Sequence, residues 1–180
     1  MFKNLSKALG RSATTLAASI FLLALGACRH GATCTNGQSC ECSGGSTCNF
    51  DCPDDRCDGY CHNVPACSGA CDNDCAFRCD NMNDCTASCG DRCESTCDHV
   101  TACDMSCGAA CAYACSNASR CTVTAGTGSV LTCDSVSSCS VQCTGPCRLT
   151  CNNVSACELG CPAGLPRVDC GGGLLVCGAC

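Results

Sequence analysis

Apolar and polar positions alternate along the chain with the period of a β-strand. Cys139, Val141, Cys143, Gly145, Cys147, Leu149 and Cys151 are spaced two apart, so in an extended chain they share one face. In the same phase, at intervals of eighteen, stand Ala87, Met105, Val123, Val141 and Leu159. A second row at that interval is Asn63, Asn81, Asn117 and Asn153, and just after it come Val64, Met82, Val100, Val136 and Val154. Asn favours turns, so the pattern predicts short inward-facing strands separated by corners.

The cysteines set the interval. They read C-x5-C-x3-C-x3-C-x3 over 18 residues, in units starting at Cys61, Cys79, Cys97, Cys115, Cys133 and Cys151. Fixed self-similarity of this length marks a stacked repeat. The fourth unit has Ala125 and Ser129 where two cysteines are due, yet Cys133 arrives on time, so the length is a structural period. In the sixth unit Leu165 and Asp169 stand in for cysteines, and Cys170 is one place late. A degenerate first unit spans 42–60, with a single insertion near Pro53-Asp54-Asp55.

Eighteen residues is also five turns of α-helix. A helix, however, puts Val141 and Leu149 on the wrong face, and the linkers are rich in weak helix formers. The expected fold is all-β or mostly irregular: a disulfide-stapled β-solenoid of 18-residue rungs, with little helix outside a signal peptide. Seven rungs would give a rod about 30 Å long.

Residues 1–27 read as a secretory leader, with Lys3, Lys7 and Arg11 ahead of an apolar stretch from Leu16 to Leu25. Leu25-Gly26-Ala27-Cys28 resembles the lipobox of bacterial lipoproteins. That resemblance implies cleavage before Cys28 and acyl chains on it, which anchor a protein to a membrane without a spanning helix. Arg29 stands where an Asp is associated with inner-membrane retention in that family, so the resemblance implies the bacterial outer membrane or cell surface. The expected organisation is a signal peptide at 1–27, an acylated tether at 28–41, a cysteine-rich repeat array at 42–169 and a C-terminal cap at 170–180.

Without the leader, three of ten basic residues are lost, leaving seven against sixteen acidic residues, a net charge of −9. No Lys remains. Phosphate-backbone binding rests on basic patches, so nucleic acid is not an expected partner. Thirty cysteines follow Cys28, an even number in a chain with few aromatics, and in an exported protein they read as a disulfide framework replacing an apolar core.

The joint loss of two cysteines in the fourth unit suggests pairing within a rung, first with second and third with fourth. The residues concerned are Cys61, Cys67, Cys71, Cys75, Cys79, Cys85, Cys89, Cys93, Cys97, Cys103, Cys107, Cys111, Cys115, Cys121, Cys133, Cys139, Cys143, Cys147, Cys151 and Cys157. A third–fourth bridge needs a corner, because an extended C-x3-C holds its Cα atoms about 13 Å apart. Insect antifreeze proteins are cysteine-stapled solenoids that this chain resembles in principle. Their ice face is a Thr-x-Thr row, and here only Thr122-Val123-Thr124 fits it.

Candidate chemistry is sparse. Thiolates suit Zn²⁺ or Cu(I), but the regular spacing contains one C-x-C pair, Cys40-Glu41-Cys42, and the oxidising address favours bridges. Cys57-Asp58-Gly59-Tyr60-Cys61-His62 resembles a lengthened c-type haem attachment motif, although both cysteines already belong to the repeat. Twelve of sixteen acids lie between Asp51 and Asp104, which reads as a solvated face. His30, His62 and His99 lack a partner motif, and Cys177-Gly178-Ala179-Cys180 lacks a thioredoxin-like context. No catalytic residue, metal or cofactor is assigned, and an enzyme is not expected. The expected function is a lipid-anchored envelope protein with a structural or adhesive role and an envelope or cell-surface protein partner; the alternative is a thiolate metal-binding envelope lipoprotein.

Overall fold

A computed structural model describes residues 32–34, 37–45 and 47–180. The leader, the lipobox and Cys28 lie outside the described residues. The protein is an all-β solenoid of about seven turns. Among the described residues no helix is long and apolar enough to cross a membrane.

Each turn contributes one strand to each of two faces. The first face stacks β2 (Ser39–Ser43), β4 (Asp58–His62), the first parts of β6 (Ala76–Cys89) and β7 (Glu94–Cys107), then β8 (Ala112–Ser116), β10 (Val130–Asp134) and β12 (Arg148–Asn152), all parallel. The second stacks β1 (Ala32–Thr33), β3 (Thr47–Cys52), β5 (Ala66–Cys71), the later parts of β6 and β7, β9 (Arg120–Ala125), β11 (Ser138–Cys143) and β13 (Ala156–Gly160). Strands are in register with their counterparts eighteen residues on, as in Cys61 with Cys79. Between β3 and β5 the offset is nineteen, as in Cys52 with Cys71. It is back to eighteen at Asp58 and Ala76, so the extra residue lies in the corner containing Pro53, Asp54 and Asp55.

The inward residues alternate as the pattern predicts. On the first face Phe77, Tyr113, Leu131 and Leu149 are buried; opposite them are Phe50, Ala87, Met105, Val123, Val141 and Leu159. Between the two rows at one end of every turn lies the bridge of first to second cysteine: Cys61–Cys67, Cys79–Cys85, Cys97–Cys103, Cys115–Cys121, Cys133–Cys139 and Cys151–Cys157. Cys42–Cys48 repeats this in the first turn. Closing so short a loop stabilises by about 2 kcal/mol per bridge in the chain-entropy account.

Two corners close each turn, and a left-handed residue recurs in both, except at Pro146, whose ring holds φ negative. The first has Asn63, Asn81, His99, Asn117, Ser135 and Asn153, with φ between 52° and 57°. The second has Arg56, Asp74, Arg92 and Ala110, followed by Gly128. Positive φ turns the N–H along the stack. Asp74 N–H thus donates to Asp91 O at 2.9 Å, and Arg92 N–H to Ala109 O at 2.8 Å, in the following turn. The bond offsets the cost of that conformation in a non-glycine residue.

The array ends are closed differently. Ala32–Thr33 pairs with Phe50 and Asp51, and Ser39–Ser43 with β4, so the described part of 28–41 contributes strands. Cys34 and Cys40 bridge each other. At the far end β15 (Leu174–Cys177) lies antiparallel on β12, and β14 (Arg167–Asp169) pairs with β15. This hairpin starts three residues before 170 and turns through Gly171, Gly172 and Gly173, all at positive φ. Cys161–Cys177 and Cys170–Cys180 fasten it, so the terminal C-x-x-C cysteines partner earlier ones.

Candidate functional site

The second corner carries the least settled chemistry. Its third cysteine ends a strand of the second face, and its fourth follows the left-handed residue. Cys143–Cys147 is bridged across this corner, with Cα atoms 6.3 Å apart. In earlier turns the same positions hold thiols: Cys71 and Cys75, Cys89 and Cys93, Cys107 and Cys111, with Cys52 in the first turn. Cys57 Sγ lies 3.5 Å from Asp54 O and 3.9 Å from Cys34 O.

These sulfurs meet along the stack as well as across the corner. Cys71 Sγ is 3.3 Å from Cys89 Sγ in the next turn. The sulfurs of Cys71, Cys75 and Cys93 all lie within 4.8 Å of one another. Cys75 and Cys93 are buried, while Cys71 and Cys89 are partly accessible from the edge. The fourth-position sulfurs also sit against corner carbonyls: Cys93 Sγ is 3.3 Å from Asp72 O and Cys111 Sγ 3.5 Å from Gly90 O.

Crowding splits the thiol acidities. Hydrogen bonds from Cys71 and Cys89 pull the Cys93 thiol well below its usual value, against burial. Cys71 is pushed up by its bonds to Cys89 and Cys93, then by burial. For Cys89 the bond with Cys71 lowers the value, but the bond to Cys93 and burial outweigh it and raise it to about 12. Cys107 and Cys111 repeat the split on a smaller scale, with Cys111 lowered by the Cys107 bond. The group therefore favours one negative sulfur surrounded by thiol donors, an arrangement suited to a thiophilic cation or to disulfide exchange.

The edge is interrupted at Ala125 and Ser129. Ser129 is buried; its Oγ accepts from Cys111 N–H at 3.2 Å and donates to Gly108 O at 3.5 Å. The hydroxyl thus makes the contacts that a thiol makes in the turns before it.

Other candidate residues have local partners. His62 Nε2 is 2.8 Å from Glu41 Oε1 and its ring stacks on Tyr60, while Cys61 is bridged. His99 Nδ1 is 3.0 Å from Asp98 Oδ2, and Asp98 also accepts from Ser116 and Asn117. Asn117 and Asn153, each with a Ser two residues on, are left-handed corner residues. The eighteen-residue spacing places the third and the fourth cysteines in columns, but the approach of Cys93 to Cys71 and Cys75 across turns was not legible, because it depends on where the side chains point. Comparison with protein-family models, curated proteins and solved structures finds no match.

Proposed function

We propose that this protein is a lipid-anchored, disulfide-rich lipoprotein of the bacterial outer membrane or cell surface, with a structural or adhesive role. The observation that supports it is a rigid array closed turn by turn by bridges, which a chain poor in aromatics needs outside a reducing compartment. Acyl chains on Cys28 would hold it to the membrane. The second face then offers an outward surface of mostly short side chains in columns, including Ser68, Thr86, Asp104 and Thr122 beside Ala70, Ser88 and Ser106. Such a surface suits a broad, shallow contact with an envelope or cell-surface protein partner. Among the described residues no catalytic constellation suggests an enzyme, and seven basic against sixteen acidic residues after the leader disfavour a phosphate backbone as partner.

The intact mass of the membrane-extracted protein tests this reading. A chain beginning at an acylated Cys28, labelled at the surface of whole cells, supports it; an unmodified chain recovered from the soluble fraction overturns it. A second reading, thiolate metal binding in the envelope, is favoured by the sulfurs of Cys71, Cys75 and Cys93.

A further inference from the structure

We propose that Cys71, Cys75, Cys89 and Cys93 form a single tetrahedral thiolate site for a cation of the Zn²⁺ class, clamping two neighbouring turns together. The inference rests on the metal-thiolate reading and assigns its ligands. Zn²⁺–thiolate bonds of about 2.3 Å at tetrahedral angles place sulfurs about 3.8 Å apart. Cys71, Cys75 and Cys93 already lie within 4.8 Å of one another, and Cys89, 3.3 Å from Cys71, would complete the set by rotating toward the other three. Each turn supplies a C-x3-C pair, within the spacing of structural zinc knuckles.

The sulfur contacts between turns join these two, Cys71 with Cys89 and both Cys71 and Cys75 with Cys93. Cys107 and Cys111 are followed by Ala125 and Ser129, which offer no sulfur. Before Cys71, the corner between Cys52 and Cys57 is one residue longer and its register is shifted. The surrounding turns carry most of the acidic residues, which raises the local concentration of cations.

A clamp here would do what the bridges do not. The bridges described in these turns, Cys61–Cys67, Cys79–Cys85 and Cys97–Cys103, each close one turn on itself. A cation shared by two corner pairs would tie turn to turn.

The test uses the whole folded chain with its bridges intact, mixed with Zn²⁺ alone. Native mass spectrometry counts bound ions, and alkylation with peptide mapping locates the protected thiols. The expected result is one ion per chain, with Cys71, Cys75, Cys89 and Cys93 shielded from alkylation. Cys93→Ser should lose that uptake and Cys107→Ser should keep it. Ser129 already shows that a hydroxyl fits the fourth position, so Cys93→Ser should fold. Circular dichroism checks this independently. Zn²⁺ protecting Cys107 and Cys111 instead would overturn the assignment while leaving the metal reading standing. No uptake, with mapping that finds Cys71–Cys75 and Cys89–Cys93 bridges, would overturn both.

Discussion

The ring of Phe77 occupies the space that a side chain on Gly69 would need. A Cβ on Gly69 would run into Phe77 Cε2 and come within 2.8 Å of Cζ, and one on Gly59 would come within 2.9 Å of Cδ2. Gly59 and Gly69 belong to the same turn, so that turn has no inward side chain at the centre of either strand. Phe77 from the turn after and Phe50 from the turn before fill it, meeting edge to face with centroids 5.7 Å apart.

Gly69→Ala should therefore destabilise by about 1–3 kcal/mol through overpacking, and Phe77→Ala by about 3–5 kcal/mol through the cavity it leaves. Combined, they should cost less than the sum, because removing the ring makes room for the methyl group. Denaturant unfolding with bridges intact, read alongside hydrogen exchange in β4 to β6, measures all three. Strict additivity would show that the ring and the glycine do not share that space.

Ser129 makes a similarly specific prediction. Its substitution by Ala leaves the buried N–H of Cys111 without its partner, at a cost of about 1–3 kcal/mol. Ser129→Cys should stay within about 0.5 kcal/mol of the parent, because the preceding turns hold a thiol there, at Cys93 and Cys111. Thermal unfolding distinguishes the two. Equal losses in both variants would mean that the oxygen is specifically required.

Much of the frame was legible in the cysteines and the residues next to them. Val123, Val141 and Leu159 marked the inward face, Asn63, Asn81, Asn117 and Asn153 the first corner, and the crowded spacing around Pro53 the inserted residue. The second left-handed row was not legible, because Arg56, Asp74, Arg92 and Ala110 have no side-chain property in common. What they share is a backbone N–H aimed at the next turn, a bond open to any residue that tolerates the conformation. The filling of the Gly59–Gly69 turn by Phe50 and Phe77 was hidden for a related reason: it depends on the stacking direction, and linear spacing reports only the path around a turn.

Ala110 is the weakest point of that second row. It is exposed, it sits at φ 56°, and its counterpart in the next turn is Gly128 at φ 78°. A left-handed residue with a Cβ costs about 1–2 kcal/mol, whereas glycine adds about 0.4–1 kcal/mol of unfolded-state entropy. Ala110→Gly should consequently stabilise by about 0.5–1 kcal/mol, visible as a raised melting temperature. A lowered one would mean that the Ala110 N–H bond to Thr127 O leaves little strain to relieve.

Acid should loosen both corners, through Asp98 beside the first and Asp74 in the second. At Asp98 partial burial raises the pKa, but hydrogen bonds from Ser116, Asn117 and His99 outweigh it and hold the group below the usual carboxylate range. At Asp74 the Arg92 guanidinium does the same, donating through Nε at 2.7 Å and through its terminal nitrogen at 2.8 Å. Both values are lower in the folded chain than in the unfolded one. As pH falls through the ordinary carboxylate range the unfolded chain takes up protons first, so stability declines with acid. The contribution is complete above that range and is lost between about pH 4 and pH 2. Asp98→Asn should flatten this part of the profile. Stability that is equally acid-sensitive in the Asp98 variant would assign the decline to other carboxylates.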